Sequence, residues 1–205
     1  MILYKTAAAE AHAEQIIKKS RFIAHVKPVG SRDEAEEYIA AVRKQYRDAT
    51  NNVPAMVLGD KFQIQWASDD GEPQGTGGAP VMQLAIGMGV TDVVIVVTRY
   101  FGGIKLGTGG LVRAYTGCAR EALLKAGIRE VREMYAMTVK IGYPELGRLQ
   151  NLARGGDFEI GSIKYEDMVT IELLCDSEKE AELKKLISDI TGGQEKIVSE
   201  VVKSA

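Results

Sequence analysis

The segment FGGIKLGTGGLVR, residues 101–113, places Gly102, Gly103, Gly107, Gly109 and Gly110 around Lys105, with Arg99 just before it and Arg113 at its end. The continuously apolar, β-branched run DVVIVVTR (92–99) precedes it and a helical pattern follows. A loop that leaves a buried strand and enters a helix presents unpaired backbone N–H groups at the helix start, where the peptide dipoles also favour an anion. Glycines let the backbone approach a bulky oxyanion without Cβ interference. The candidate phosphate or RNA contacts are therefore Arg99, Lys105 and Arg113, with the backbone of Gly107, Thr108, Gly109 and Gly110. Thr108 is placed either to cap the helix or to donate to a phosphate oxygen. Neither nucleotide motif is complete, because Gly107 is followed by Thr108-Gly109 rather than Lys-Ser/Thr, and Val112 stands where the dinucleotide fingerprint needs glycine. Glycines that merely allow tight turns and close packing of helix on sheet are the alternative.

A second glycine-rich loop, SDDGEPQGTGGAP (68–80), supplies Asp69, Asp70 and Glu72. Such carboxylates either hold Mg²⁺ through waters, act in acid/base chemistry opposite the basic loop, or cap backbone and pair with Arg99 or Arg113. The Ca²⁺-loop pattern is absent. No cofactor is called for by any complete motif, and Mg²⁺ is the one candidate. Complementary charge predicts that the two loops lie side by side, with Arg99 or Arg113 touching Asp69, Asp70 or Glu72.

Other chemistry has little to work with. The only histidines are His12 and His25, and His25 falls in the alternating run RFIAHVKPV, where a solvent-facing strand position is expected. Cys118 and Cys175 are far apart and outside any C-x-x-C, so both read as core residues rather than a disulfide or a thiolate metal site. No catalytic residue and no metal ligand set is assigned.

The elements that must position these loops follow from the 205 residues as a whole, of which 45% are hydrophobic and 26% charged, as in a soluble globular protein. The chain begins without a basic segment leading into an apolar run, and no run approaches a membrane span, so a cytoplasmic protein is expected. Net charge is −2, divided as +2 over 1–130 and −4 over 131–205, which leaves room for a local basic face but not for a strongly basic domain.

Residues 20–28 alternate as a strand, and Ser31-Arg-Asp-Glu34 opens a helix expected to run to about Asp48. Short strands at 53–58 and 62–68 form a hairpin, and a helix is expected over 80–88. Leu111, Ala114, Tyr115, Cys118, Ala119, Ala122, Leu123 and Ala126 trace one face of a helix from Gly110 that stops at Gly127. The charged segment IREVREM (128–134) reads as a boundary, placed near Val131. Beyond it the order strand, helix, strand, strand, helix, strand, with Ser177-Glu-Lys-Glu180 capping the second helix, predicts a ferredoxin-like sandwich. The fold class is α+β, with domains at 1–130 and 131–205.

Together, SDDGEPQGTGGAP and VVTRYFGGIKLGTGGLVRAY resemble the IMPACT/YigZ family, as do KKSRFIAHV and RDATNNV, and the resemblance spans the chain. It implies an N-terminal ribosomal-protein-like α/β domain, like one in elongation factor G, and a ferredoxin-like C-terminal domain. Eukaryotic relatives add another N-terminal domain, which is not expected here, and regulate a kinase that restrains translation initiation. The sequence departs from the family pattern where a histidine, a polar residue and a cysteine are common: it has Asn51, Asn52 and Val53.

The functional expectation is a non-enzymatic binding or regulatory protein associated with translation, whose partner is RNA, the ribosome or a translation-associated protein, and which has no membrane role. A metal-assisted enzyme acting on a phosphorylated small molecule or an RNA end, through Asp69, Asp70 and Glu72, is the second reading. A purely protein-binding module is the third. Oligomeric state is not readable from the sequence.

Overall fold

A computed structural model describes residues 2–204, which divide into two compact units: Tyr4–Glu130, and the chain from Val131 onward with Ile2 and Leu3. Strand β1 (Ile2–Ala7) spans the division, and the other elements of the first unit are β2 (Ala11–Ile17), β3 (Ser20–Pro28), α1 (Arg32–Gln45), β4 (Asn51–Leu58), β5 (Ile64–Ala67), α2 (Gly78–Gly87), β6 (Val93–Tyr100) and α3 (Thr108–Ala126). Its antiparallel sheet has the order β2-β3-β6-β4-β5.

Period-two alternation assigns each face of this sheet to a different helix layer. Phe22, Ala24, Val26, Val93, Ile95 and Val97 join one core with Leu111, Tyr115, Cys118, Ala122 and Leu123 of α3 and with Val81 and Ala85 of α2. Val94, Val96, Met56 and Leu58 point the other way, against Ala35, Ile39 and Val42 of α1. Strand β6 is therefore apolar along its length because both of its faces are covered. Being central, it delivers the chain to the glycine-rich loop from the most constrained position in the sheet.

The second unit contains β7 (Ile128–Ile141), α4 (Tyr143–Ala153), β8 (Glu159–Tyr165), β9 (Val169–Asp176), α5 (Glu180–Thr191) and β10 (Lys196–Ser204). Strands β10, β7, β9 and β8 lie in that order, all antiparallel. Leu146 and Leu149 of α4 and Leu183, Ile187 and Ile190 of α5 pack on Met137, Val139, Ile141, Ile171 and Leu173. This is the βαββαβ sandwich read from the pattern of elements, and the chain is α+β.

Several local expectations are corrected. The segment 128–134, read as a boundary placed near Val131, is the first half of β7, and Val131 within it is buried. A strand accepts Arg129, Glu130 and Arg132 where their side chains are exposed, so charge density did not mark a loop. His25 is buried rather than solvent-facing, because α1 covers that face of the sheet and brings Tyr46 to 4.8 Å from the imidazole. Ser31 does cap α1, accepting from the Glu34 N–H at 3.2 Å. Ser177 does not cap α5, which follows a short 3₁₀ turn (Ser177–Lys179), and its hydroxyl donates to Glu133 instead. Helix α1 ends three residues before Asp48, and α3 starts at Thr108, two residues before Gly110.

Candidate functional site

The start of α3 is built by glycine. Gly107 is the N-cap at φ 75°, a conformation that side chains strongly resist. Gly102 passes so close to the β2–β3 turn that an added Cβ would lie 2.0 Å from the Lys19 carbonyl carbon. Thr108 does not cap the helix with its side chain. The first intrahelical bond runs from the Leu111 N–H to the Gly107 carbonyl at 2.9 Å. The N–H groups of Thr108, Gly109 and Gly110 therefore precede the hydrogen-bond ladder and carry the positive end of a 19-residue helix dipole.

The acidic loop lies against this turn through one residue. Glu72 Oε1 accepts from Arg99 Nη1 at 2.6 Å and from the Tyr115 hydroxyl at 2.7 Å. Both members of the ion pair are buried, with side-chain exposures of 7% for Arg99 and 5% for Glu72. Burial, and then the bond to Glu72, push the Tyr115 hydroxyl pKa far upward, so it remains a donor. The Arg99 guanidinium lies between two aromatic rings, 5.4 Å from the Phe22 centroid and 5.3 Å from that of Phe101. Its Nε is the only buried side-chain polar atom among the described residues without a hydrogen-bond partner. An unmet buried donor costs about 1–3 kcal/mol, more when charged.

The other two acids serve the fold. Asp69 accepts from the N–H groups of Gly75, Gly77 and Gly78 at 2.7–3.0 Å, closing the loop onto the start of α2. Although burial opposes ionisation, those three donors hold its pKa below the ordinary carboxylate value. Asp70 accepts from the Asn52 N–H at 2.6 Å and from Arg43 at 3.1 Å, tying β4 to α1. Among the described residues, no three His, Cys, Asp or Glu side chains converge as a metal site would require.

The structure thus brings Arg99 and Glu72 together and separates the remaining candidates by role. Arg99, expected as a direct phosphate contact, has its charge matched by Glu72 and acts from beneath the loop. Lys105 is exposed and lines a cavity of about 430 Å³ together with Arg99, Glu72, Gly107 and Thr108. Arg113 is exposed one turn into α3, with its guanidinium 3.7 Å from where a Cβ on Gly109 would sit.

Sequence reasoning missed the rest of the cavity wall: Thr50, Asn51, Gly71, Pro73, Phe101, Leu106 and Leu111. Phe101 carried a usable signal, being a large aromatic residue in a glycine-rich loop with no periodic partner. Thr50 carried none; it accepts from the Phe101 N–H at 2.9 Å through Oγ1 and donates its own N–H to the Arg99 carbonyl.

Asn51, in the cavity wall, and its neighbour Asn52 are buried at the positions where the sequence departs from the family pattern. Asn51 donates to the Asp70 carbonyl at 2.7 Å, and Asn52 accepts from Thr98 at 2.7 Å while donating to the Tyr46 carbonyl. Thr98 Oγ1 lies 3.4 Å from His25 Nε2. Burial, and secondarily the charge of His12, push the His25 pKa down to about 4, so this polar track is uncharged near neutrality. Cys118 sits in the core with its Sγ near the Ala13 and Phe22 carbonyls, and burial raises its thiol pKa to about 11.

Comparison with known proteins covers both units. Residues 18–123 match the family model of the Impact N-terminal domain, and residues 139–194 match a domain of unknown function, DUF1949. The chain is 38% identical over 194 residues to IMPACT family member YvyE of Bacillus subtilis, covering 95% of this chain and 89% of that one. It is 34% identical over 188 residues to IMPACT family member YigZ of Escherichia coli, covering 91% and 92%. A crystal structure described as a hypothetical protein superposes with a TM-score of 0.62 at 32% identity, covering 96% of each chain.

Proposed function

Since this chain belongs to the IMPACT family, we propose that it is a non-enzymatic binding or regulatory protein associated with translation, whose N-terminal unit binds RNA through phosphate contacts at the start of α3. The observation that carries this reading is the cavity in which Lys105 and the opening turn of α3 meet over the buried Arg99–Glu72 pair. Oriented N–H groups and an exposed lysine complement a phosphate, and Arg113 adds a second exposed cation one turn along. The ion pair fixes the loop without adding net charge. The connection with translation is what the family resemblance implies, and a cytoplasmic location fits it. No helix among the described residues is long and apolar enough to cross a membrane.

Gly109, which follows the cavity-lining Thr108 without itself lining the cavity, leaves the first turn of α3 open to a ligand. It lies in the first turn of α3 with ordinary backbone angles, and an added Cβ would meet only the movable end of Arg113. The fold does not require glycine there, and helix propensity disfavours it by up to about 1 kcal/mol relative to alanine. A bulky oxyanion approaching the N–H groups does require the missing Cβ.

The test is RNA binding as a function of salt for the wild type and for Lys105→Gln/Arg113→Gln. Phosphate contacts release counterions, so the double variant should bind several-fold more weakly with a salt slope shallower by roughly one to two. Unchanged affinity and slope in a folded double variant would remove RNA from this site.

A further inference from the structure

The cavity at the start of α3 has two unlike kinds of lining. Lys105 and the N–H groups of α3 form one, and they suffice for a phosphate. Pro73, Phe101, Leu106 and Leu111 form the other, which a phosphate does not explain. Phe101 is 45% exposed, yet it is anchored: its N–H donates to Thr50 and its ring rests over the Arg99 guanidinium. Arg99 is in turn fixed by Glu72 and Phe22. An exposed aromatic ring held from behind by a buried cation is a stacking surface, and base stacking on such rings is tolerant of base identity. The Arg99 Nε, buried without a partner beside the same cavity, marks a donor left unused by the protein itself.

We propose that this cavity receives one unpaired nucleotide of single-stranded RNA, its base stacked on Phe101 and its phosphate against Lys105 and the first turn of α3. The inference rests on the RNA-binding reading above and narrows it to a strand conformation. At about 430 Å³ the space falls within the range of small-ligand pockets. In a duplex the base faces are stacked on one another, so a paired strand offers Phe101 nothing to hold.

The test is a fluorescence-anisotropy titration with a short labelled oligouridine, alone and annealed to oligoadenosine, against the full chain and its Phe101→Ala, Phe101→Trp and Lys105→Gln variants. The wild type should bind the single strand more tightly than the duplex. Phe101→Ala should lose about tenfold in affinity for the single strand with an unchanged salt slope, Phe101→Trp should retain wild-type affinity, and Lys105→Gln should flatten the salt slope. If Phe101→Ala binds as the wild type does while Lys105→Gln weakens binding, or if the duplex binds more tightly, the stacked base is refuted and the phosphate reading survives. Absence of binding by either RNA to the wild type refutes both.

Discussion

Replacing Glu72 by alanine tests the internal frame of the site. The substitution strips the Arg99 guanidinium of its counter-ion in a place where both side chains are more than nine-tenths buried, and it removes the acceptor of the Tyr115 hydroxyl. Breaking one side of a buried ion pair costs about 3–5 kcal/mol, and an orphaned buried hydroxyl about 1–3 kcal/mol. The two losses share one oxygen and do not simply add, so about 4 kcal/mol is expected for the pair. With a urea dependence of about 2 kcal/mol per molar, the unfolding midpoint should fall by roughly 2 M. Trp66, the only tryptophan, lies in β5 and is 39% exposed, so its fluorescence reports unfolding of the N-terminal unit. Two companions sharpen the measurement. Glu72→Gln keeps an acceptor but not the charge and should fall between alanine and wild type. Arg99→Met/Glu72→Leu removes both charges together and should recover a large part of the loss, because the desolvation cost disappears with them. A midpoint shift below about 0.5 M for Glu72→Ala, or a double variant no more stable than the single one, would refute the view that this pair is a buried structural hinge-pin.

His25 links stability to pH. Its folded pKa, about 4, lies below the ordinary histidine value, so the unfolded chain takes up a proton first as pH falls; the stability present above pH ~6.5 should drop by up to about 3 kcal/mol as pH approaches 4. Urea unfolding at stepped pH should show this slope, with His25→Gln flatter by that amount; parallel profiles would refute it. Gly109→Ala should leave the thermal midpoint unchanged or slightly raised, since nothing in the fold opposes a Cβ there, while RNA affinity drops several-fold. Retained affinity in that variant would show that no phosphate approaches the α3 N–H groups closely.

Much of the architecture was legible before any coordinates. The unbroken β-branched run of β6 announced a strand covered on both faces, and the spacing of Leu111, Tyr115, Cys118 and Leu123 announced the buried face of α3. The order of elements after residue 131 was sufficient to indicate the ferredoxin-like sandwich, because local periodicity and turn residues report local structure. Strands β1 and β2 were not legible, since neither the alanine-rich start nor AHAEQII carries a clean alternation. The first half of β7 was not legible as strand, because Arg129, Glu130 and Arg132 at exposed positions break the apolar pattern.

For the candidate site, the sequence determined which residues were candidates: a glycine-rich turn, three cations and three carboxylates in and beside two glycine-rich segments. Tertiary structure decided their roles. Pairing with Glu72 and enclosure by Phe22 and Phe101 turned Arg99 from a surface cation into a buried support, while Asp69 and Asp70 were committed to backbone N–H groups of their own unit. Helix α1 packs over the face of the sheet that carries His25 of β3 and brings its C-cap Tyr46 against it, burying the imidazole and keeping it neutral. Burial, charge partners and the face a side chain presents depend on segments distant in sequence, whereas glycine's freedom and helical period are properties of the local chain.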